Sequence, residues 1–351
     1  MIKQNPYLKN NFQEKKNKKG LSKDYLKSIN EIKYEIKNKK KTLNVLSKDF
    51  KFNFKINDLN KFNKYKTIAL VGMGGSILGA EAISNFLEKK IKKKIYFFND
   101  LNIKKISNFN KIRNKKKVLF LIISKSGNTI ETLSNFLALK ILKKKAKNII
   151  IISEKKNNLL FSISKKFNLF YIEHKSNIGG RYSVLSEVGV VPAYLMGIDI
   201  SKFRLEIREF LSRKNISILK ESSIKLSYLI NSKKNNNLVF LNYAPKLDKF
   251  LYWCQQLIAE SLGKKGKGFF PIISTVPKDH HSLLQLYIDG PKDKLFYIFS
   301  LQEEKSEKIN LKKILNKRSF LDNKRLDKIK EAQKEALVLS LKKNKIPFRE
   351  F

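Results

Sequence analysis

The sequence predicts an α/β protein made of two doubly wound halves, and three observations carry that expectation. Short apolar runs of strand length are each followed by a glycine- or hydroxyl-rich turn, and then by an amphipathic stretch long enough for a helix. Strands that alternate with helices must run parallel, because the crossover uses up the helix, and the helices then cover both faces of the sheet. The pattern fades in a polar stretch near residues 201–234 and begins again at residue 238.

Residues 1–64 are rich in Lys and Asn, with weak helical periodicity through Leu26, Ile29, Ile32 and Ile36. They read as a helical arm. Thr67-Ile68-Ala69-Leu70-Val71 is a buried-strand run, followed by Gly72-Met73-Gly74-Gly75-Ser76 and a helix near Ile77–Lys90. Val118–Ile123 repeats the theme, ends in Ser124-Lys125-Ser126-Gly127-Asn128-Thr129, and enters a helix to about Leu142. Asn148–Ile152 is a third strand. A helical, polar stretch at Ser201–Lys234 marks a boundary, so the first domain is expected at 65–234. The second, at 235–320, opens on the strand Leu238–Leu241 and continues through a helix near Lys246–Leu262 to a strand at Leu295–Leu301. Asp322–Lys343 reads as a long charged helix within a C-terminal segment, 321–351.

Composition narrows the function. The 351 residues carry a net charge of +45, with 42% hydrophobic residues, enough for sizeable cores. The charge invites a nucleic-acid reading, yet only eight of the 75 basic residues are Arg. Nucleic-acid readers favour the planar, bidentate Arg fork. Abundant Lys, Asn, Ile and Phe instead fit an AT-rich coding bias that pushes surface positions to Lys, so no specific nucleic-acid partner is expected. The longest apolar run, Val118–Ile123, is far shorter than the ~18–20 residues of a membrane helix. No apolar core follows the basic N-terminus, which argues against a secretory leader. The single Cys254 suits a reducing compartment, and a cytoplasmic location is expected.

In an open parallel sheet, ligands bind beyond the carboxyl ends of the strands. Two loops there have chemistry for an anion. Gly72–Ser76 lets backbone approach a ligand closely, and Ser76 is placed to cap the following helix. Ser124–Thr129 offers hydroxyls at the start of the next helix. Neither loop has a Walker ending or a complete dinucleotide fingerprint. Together they point to a phosphomonoester site.

The order of Gly-Gly-Ser-x-Leu-Gly (74–79), Ser-Lys-Ser-Gly-Asn-Thr-x-Glu-Thr (124–132) and Gly-Gly-Arg-Tyr-Ser-Val-x-Ser-x-Val-Gly (179–189) resembles the glucose-6-phosphate isomerase family. Gln-Gln-Leu-Ile-Ala-Glu-Ser-x-Gly-Lys (255–264) and Asp-His-His-Ser-x-x-Gln-Leu (279–286) extend the likeness. The resemblance implies two sugar-isomerase (SIS) domains, each with a five-stranded parallel sheet flanked by helices. It implies reversible conversion of glucose 6-phosphate to fructose 6-phosphate through a cis-enediol(ate), with no metal or other cofactor. It implies a homodimer with shared active sites.

Such a reaction needs a base, a cation for the developing oxyanion, and an acid/base group to open the ring. By resemblance Glu260 is the base, and its neighbours Trp253, Leu257, Ile258 and Leu262 suggest a carboxylate set among apolar residues. Gln256, four residues earlier on the same helical face, is placed to orient substrate. Arg181, an Arg in a chain that defaults to Lys, is matched to enediolate stabilisation, His281 to ring opening, and Lys334 to a second ring-opening role. Lys328, Lys330, Lys342 and Lys343 are alternatives to Lys334. His174 reads as structural. Gly75, Ser76, Ser124, Lys125, Ser126 and Thr129 would hold the phosphate, with Asn128 standing where the family commonly has a hydroxyl. Two other readings share the fold: a bifunctional phosphoglucose/phosphomannose isomerase, and a non-catalytic sugar-phosphate sensor. A sensor would not need Glu260, Arg181 and His281 together.

Overall fold

The computed structural model describes residues 3–4, 15–205, 213–232, 234–302, 305–310 and 319–351. Residues 1–2 and 5–14 of the expected arm, 206–212 and 233 of the expected helical stretch, and 303–304 and 311–318 of the second half lie outside the described residues. Ten strands occur among those described: β1 (Lys3–Gln4), β2 (Thr67–Val71), β3 (Lys94–Phe98), β4 (Val118–Ile123), β5 (Ile149–Ser153), β6 (Phe170–Glu173), β7 (Asn237–Asn242), β8 (Phe270–Thr275), β9 (Lys294–Phe299) and β10 (Phe348–Glu350). The chain divides into a first unit, Asp24–Leu219 with Tyr252–Leu257, and a second, Met1–Lys23, Lys220–Leu251 and Ile258–Phe351.

In the first unit, five parallel strands lie in the order β3-β2-β4-β5-β6. Successive side chains point to opposite faces. Ile68, Leu70, Leu119 and Leu121 therefore pack with Phe62, Ile77 and Val188 on one side. Ala69, Val71, Phe120 and Ile122 pack with Phe136 and Leu160 on the other. All six residues of β4 are buried, which explains its unbroken apolar run. Truncating a buried Leu or Phe here to Ala would cost about 2–5 kcal/mol.

The second unit has the order β1-β10-β9-β7-β8. Strands β7 to β10 are parallel, whereas β1 pairs antiparallel along the β10 edge. The fold class is thus as expected, with one correction: the fifth strand of the second sheet is an antiparallel strand donated by the start of the chain. Val239, Leu241, Phe296 and Ile298 pack against Leu337, Val338 and Leu341 of the helix Leu326–Lys343.

Several helices stop sooner than periodicity suggests. Leu78–Phe86 gives way to a tighter 3-10 turn at Glu88–Lys90. Ile130–Ala138 ends before Lys140, whose φ of 52° breaks the helical path. The last helix begins at Leu326 because Asp322 is used earlier, accepting the Ser319 backbone N–H at 2.9 Å. In the arm, Ile29 is buried but Leu26 is 54% exposed.

Candidate active site

Sheet topology fixes where a ligand can enter the first unit. The chain runs from β2 outward to β3 and returns on the opposite side of β2 as β4. The two loops leaving the carboxyl ends of β2 and β4 therefore diverge, opening a crevice between them. Those loops are residues 72–76 and 124–129.

In the second loop, hydroxyls converge. Ser124 Oγ lies 2.8 Å from Thr129 Oγ1 and 3.5 Å from Ser126 Oγ, and Ser126 Oγ lies 3.4 Å from Thr129 Oγ1. The Gly127 N–H donates to Ser124 Oγ and the Asn128 N–H to Ser126 Oγ, each at 3.2 Å. Thr129 is the N-cap residue of Ile130–Ala138, so these hydroxyls stand where the helix presents its unsatisfied N–H groups. Hydroxyl donors and a helix start suit a phosphate dianion. Asn128 serves the scaffold instead: its Oδ1 accepts the Leu159 N–H at 2.9 Å. Lys125 is tied back as well, donating to the Ser176 carbonyl at 2.8 Å and lying 3.6 Å from Glu154.

The first loop is locked against residues 179–186. A Cβ on Gly75 would lie 2.3 Å from the Gly180 carbonyl carbon and oxygen, so only glycine permits this approach. Ser183 Oγ donates toward both the Gly75 carbonyl, at 3.0 Å, and the Gly180 carbonyl, at 2.6 Å. The helix Asp248–Leu262 supplies two further contacts. The Trp253 indole N–H donates to the Arg181 carbonyl at 3.1 Å. Gln256 lies over the loop, its Nε2 being 3.1 Å from where a Gly74 Cβ would stand. The Arg181 guanidinium sits 4.8 Å from the centroid of the Tyr182 ring. Gly74, Gly75, Arg181 and Gln256 are thus brought together beside the hydroxyl loop.

Ser76 is a correction. It lies in the 3-10 turn Gly74–Ser76, while Ile77 takes the N-cap position of Leu78–Phe86 with no side-chain cap bond. Beneath the hydroxyl loop, His174 is 1% exposed. Burial and the nearby Lys125 ammonium pull its pKa down to about 4, so it is a neutral structural residue.

The second unit carries the other expected groups. Glu260, in the last turn of Asp248–Leu262, is exposed, whereas Trp253, Leu257, Ile258 and Leu262 are half-buried. The apolar setting read from its neighbours belongs to them and not to the carboxylate. His280 and His281 open the helix His280–Ile288. His281 is exposed; His280 is half-buried, with its Nε2 3.2 Å from the Tyr243 hydroxyl. Burial, and then the neighbouring His281, lower the His280 pKa. Lys334 lines a cavity together with Tyr243, Lys330 and Glu331. Lys342 and Lys343 fall in the last turn of that helix.

The sequence marks Trp253, the chain's only tryptophan, only as an apolar neighbour of Glu260, and Ser183 only as part of the 179–189 motif; neither clamping contact is visible there. Among the described residues no cluster of His, Cys, Asp and Glu could hold a metal ion. No helix among them is long and apolar enough to cross a membrane.

The phosphoglucose isomerase family model matches residues 20–269. A glucose-6-phosphate isomerase of Methanocaldococcus jannaschii is 32% identical over 314 residues, covering 86% of this chain and 76% of the relative. One of Campylobacter jejuni is 33% identical, covering 72% of this chain and 68% of the relative. A probable glucose-6-phosphate isomerase of Methanococcus maripaludis is 34% identical over 68% of this chain, which spans only 57% of that relative's length. Among solved structures, a hypothetical protein of Thermus thermophilus aligns with a TM-score of 0.76 at 21% identity, covering 100% of this chain and 88% of that one. A glucose-6-phosphate isomerase of Chlamydia trachomatis aligns with a TM-score of 0.65 at 18% identity, covering 84% and 62%.

Two parallel α/β units with a hydroxyl-lined switch point define a protein of the SIS-type sugar-phosphate class. Within that class, the matched family model and the relatives are specific: the chain belongs to the phosphoglucose isomerase family, and is by that membership an isomerase.

Proposed function

We propose that the chain interconverts glucose 6-phosphate and fructose 6-phosphate, with Ser124, Ser126 and Thr129 holding the phosphate and Glu260 moving the proton. The observation that carries this reading is the convergence of three hydroxyls at a helix start, beside a clamped Arg181 loop. The phosphate fixes one end of an acyclic sugar; the reacting carbons lie at the other.

The Glu260 carboxylate takes the proton from carbon 2. The electrons of that C–H bond form the carbon 1–carbon 2 double bond, and the carbonyl oxygen on carbon 1 becomes the enediolate oxygen. The Arg181 guanidinium stabilises that charge. The proton of the carbon 2 hydroxyl passes to the oxygen on carbon 1, moving the charge to the carbon 2 oxygen. Glu260 then returns its proton to carbon 1 as the carbon 1–carbon 2 double bond gives way to the carbon 2 carbonyl, leaving the ketone on carbon 2. His281 opens the ring beforehand, taking the proton of the carbon 1 hydroxyl and delivering one to the ring oxygen. A neutral imidazole has one donor and one acceptor nitrogen, which suits this exchange. Gln256, poised over Gly74, orients the sugar.

The homodimer with shared sites and the cytoplasmic location belong to the same proposal. An exposed His281 supports the first, since it is available to a neighbouring subunit. Coupled assay of fructose 6-phosphate turnover tests the reaction, with mannose 6-phosphate as the control substrate. Glucose 6-phosphate should be formed and mannose 6-phosphate left unused; equal turnover of both would favour the bifunctional enzyme. Mixing inactive Glu260→Gln with inactive His281→Ala, under demonstrated subunit exchange, should restore activity. Failure of that rescue would refute the shared-site dimer.

A further inference from the structure

The amino ends of the strands in the first sheet form a face of their own, opposite the loops that leave the carboxyl ends. A hollow of about 780 Å³ opens there, walled by three stretches of chain. The turn before β4 supplies Arg113, Lys115 and Lys116. The segment between the helix Ile130–Ala138 and β5 supplies Lys140, Lys143, Lys144 and Lys147. Lys64, just before β2, stands on the third side. The lengths of β4 and β5 set this hollow roughly 16–20 Å from the hydroxyl loop. A smaller hollow of about 470 Å³ shares Lys64 and Lys147 with it and adds Lys61 and Lys145.

Among the described residues, no carboxylate lines either hollow. The larger wall is drawn wholly from residues 59–80, 101–130 and 132–153, which contain no Asp or Glu, although the chain has 30 in 351 residues. A coding bias towards Lys acts on the whole surface and does not clear carboxylates from one face. Elsewhere Lys156 lies 2.6 Å from Glu154, and Lys294 lies 2.7 Å from Asp293.

The wall is also stitched together. Lys115 Nζ donates to Asn110 Oδ1 at 2.6 Å and to the Leu139 carbonyl at 2.8 Å. Asn148 Nδ2 donates to the Lys115 carbonyl at 3.1 Å, and the Tyr65 hydroxyl to the Lys147 carbonyl at 3.3 Å. These bonds join the three stretches through neutral partners and leave the other seven cations of the wall exposed. Burial, and then the Lys140 ammonium, lower the Lys115 pKa, so the cations crowd one another in a way that a bound anion would relieve.

We infer that this face is a second anion site, for a small ligand that carries several phosphates close together. Lys ammonium groups meet phosphates as point charges, and a wall fixed in advance spares the ligand the cost of ordering it. No Ser or Thr lines the larger hollow, so a sugar has no hydroxyl partner there. A nucleobase has no platform either: the one aromatic residue of that wall, Tyr65, is 7% exposed, and Lys64 Nζ lies 5.6 Å from its ring centroid.

The test is calorimetry on the full chain with inorganic tripolyphosphate at ~0.15 M salt, where long-range surface attraction is screened. Lys143→Gln/Lys144→Gln should weaken binding about ten-fold or more, and so should Arg113→Gln/Lys116→Gln on the other loop. Lys27→Gln/Lys33→Gln, which removes the same charge from exposed positions on the helix Lys15–Lys37, should bind within two-fold of wild type. Ser124→Ala/Thr129→Ala should also bind as wild type. ATP, with the same triphosphate, should bind no more tightly than tripolyphosphate. Equal weakening by the control pair would reduce the effect to overall charge and overturn the inference. So would unchanged affinity in both wall variants, or loss of binding in Ser124→Ala/Thr129→Ala, which would place the ligand in the hydroxyl loop. Ten-fold tighter binding of ATP, or of a single-stranded RNA of matched charge, would overturn the ligand class. None of these outcomes depends on whether the chain isomerises glucose 6-phosphate.

Discussion

Substituting Gly75 by Ala tests how the Arg181 loop is held. The new Cβ would meet the Gly180 carbonyl carbon and oxygen at 2.3 Å and the Arg181 nitrogen at 2.8 Å. To reach even 3.0 Å from that carbonyl, the two backbones must part by 3.0 − 2.3 = 0.7 Å. A shift of that size would stretch the 3.1 Å Trp253–Arg181 bond towards 3.8 Å, where it ceases to be a hydrogen bond. Overpacking of this kind costs about 1–3 kcal/mol of stability. Misplacing a catalytic group by ~1 Å costs on the order of 100-fold in rate. Gly180→Ala supplies the control, since nothing lies within 4 Å of a Cβ there and its φ needs no glycine. Thermal melts and coupled turnover should therefore separate the pair: Gly75→Ala unstable and about 100-fold slower, Gly180→Ala near wild type in stability. Equal stability and turnover in the two variants would refute the close-approach argument.

Removing the hydroxyls of Ser124 and Thr129 singly should weaken binding of 6-phosphogluconate at the first site. A charge-assisted hydrogen bond is worth about 1.5–3 kcal/mol, or roughly 10- to 150-fold in Kd; unchanged affinity would displace the phosphate from this loop. His174 predicts a pH dependence of stability. Its folded pKa of about 4 lies below the ordinary 6.5, so between those values the unfolded chain binds a proton that the folded chain does not. The His174 contribution is therefore complete above pH 6.5, and falls by about 3 kcal/mol as the pH drops to 4. Denaturant titrations of His174→Gln should show a flatter profile across that window, and a slope equal to wild type would refute the assignment.

Much of this architecture is legible in the sequence, for a physical reason. Strands buried on both faces, such as β4 and β5, are continuous runs of Ile, Leu, Val and Phe that nothing else in the chain imitates. Edge strands are harder to see. β3 opens on the end of a Lys-rich run that starts at Lys89 and lies at the sheet's edge, where Ile95, Tyr96 and Phe97 are only partly buried. β8 contains Pro271, which argues against a strand until the topology shows it to be an edge with one unpaired side. The two phosphate-type loops were readable because glycines and hydroxyls cluster there. Contacts over long sequence separations were not: the Trp253 bond to Arg181 spans 72 residues, and the Lys125 bond to Ser176 spans 51. The cavity of the second unit is of the same kind, since its wall is gathered from two strand ends and a helix that begins 27 residues after β9.

The central claim is that Glu260 carries the proton between carbon 2 and carbon 1. It is tested most directly by following loss of deuterium from glucose 6-phosphate labelled at carbon 2, in wild type and Glu260→Gln. The amide keeps the shape of the side chain and removes the base, so fold and 6-phosphogluconate affinity should be retained. Turnover and deuterium loss should fall together, by about 10²- to 10⁴-fold. Deuterium loss within a few-fold of wild type would contradict the account and assign the proton to another group.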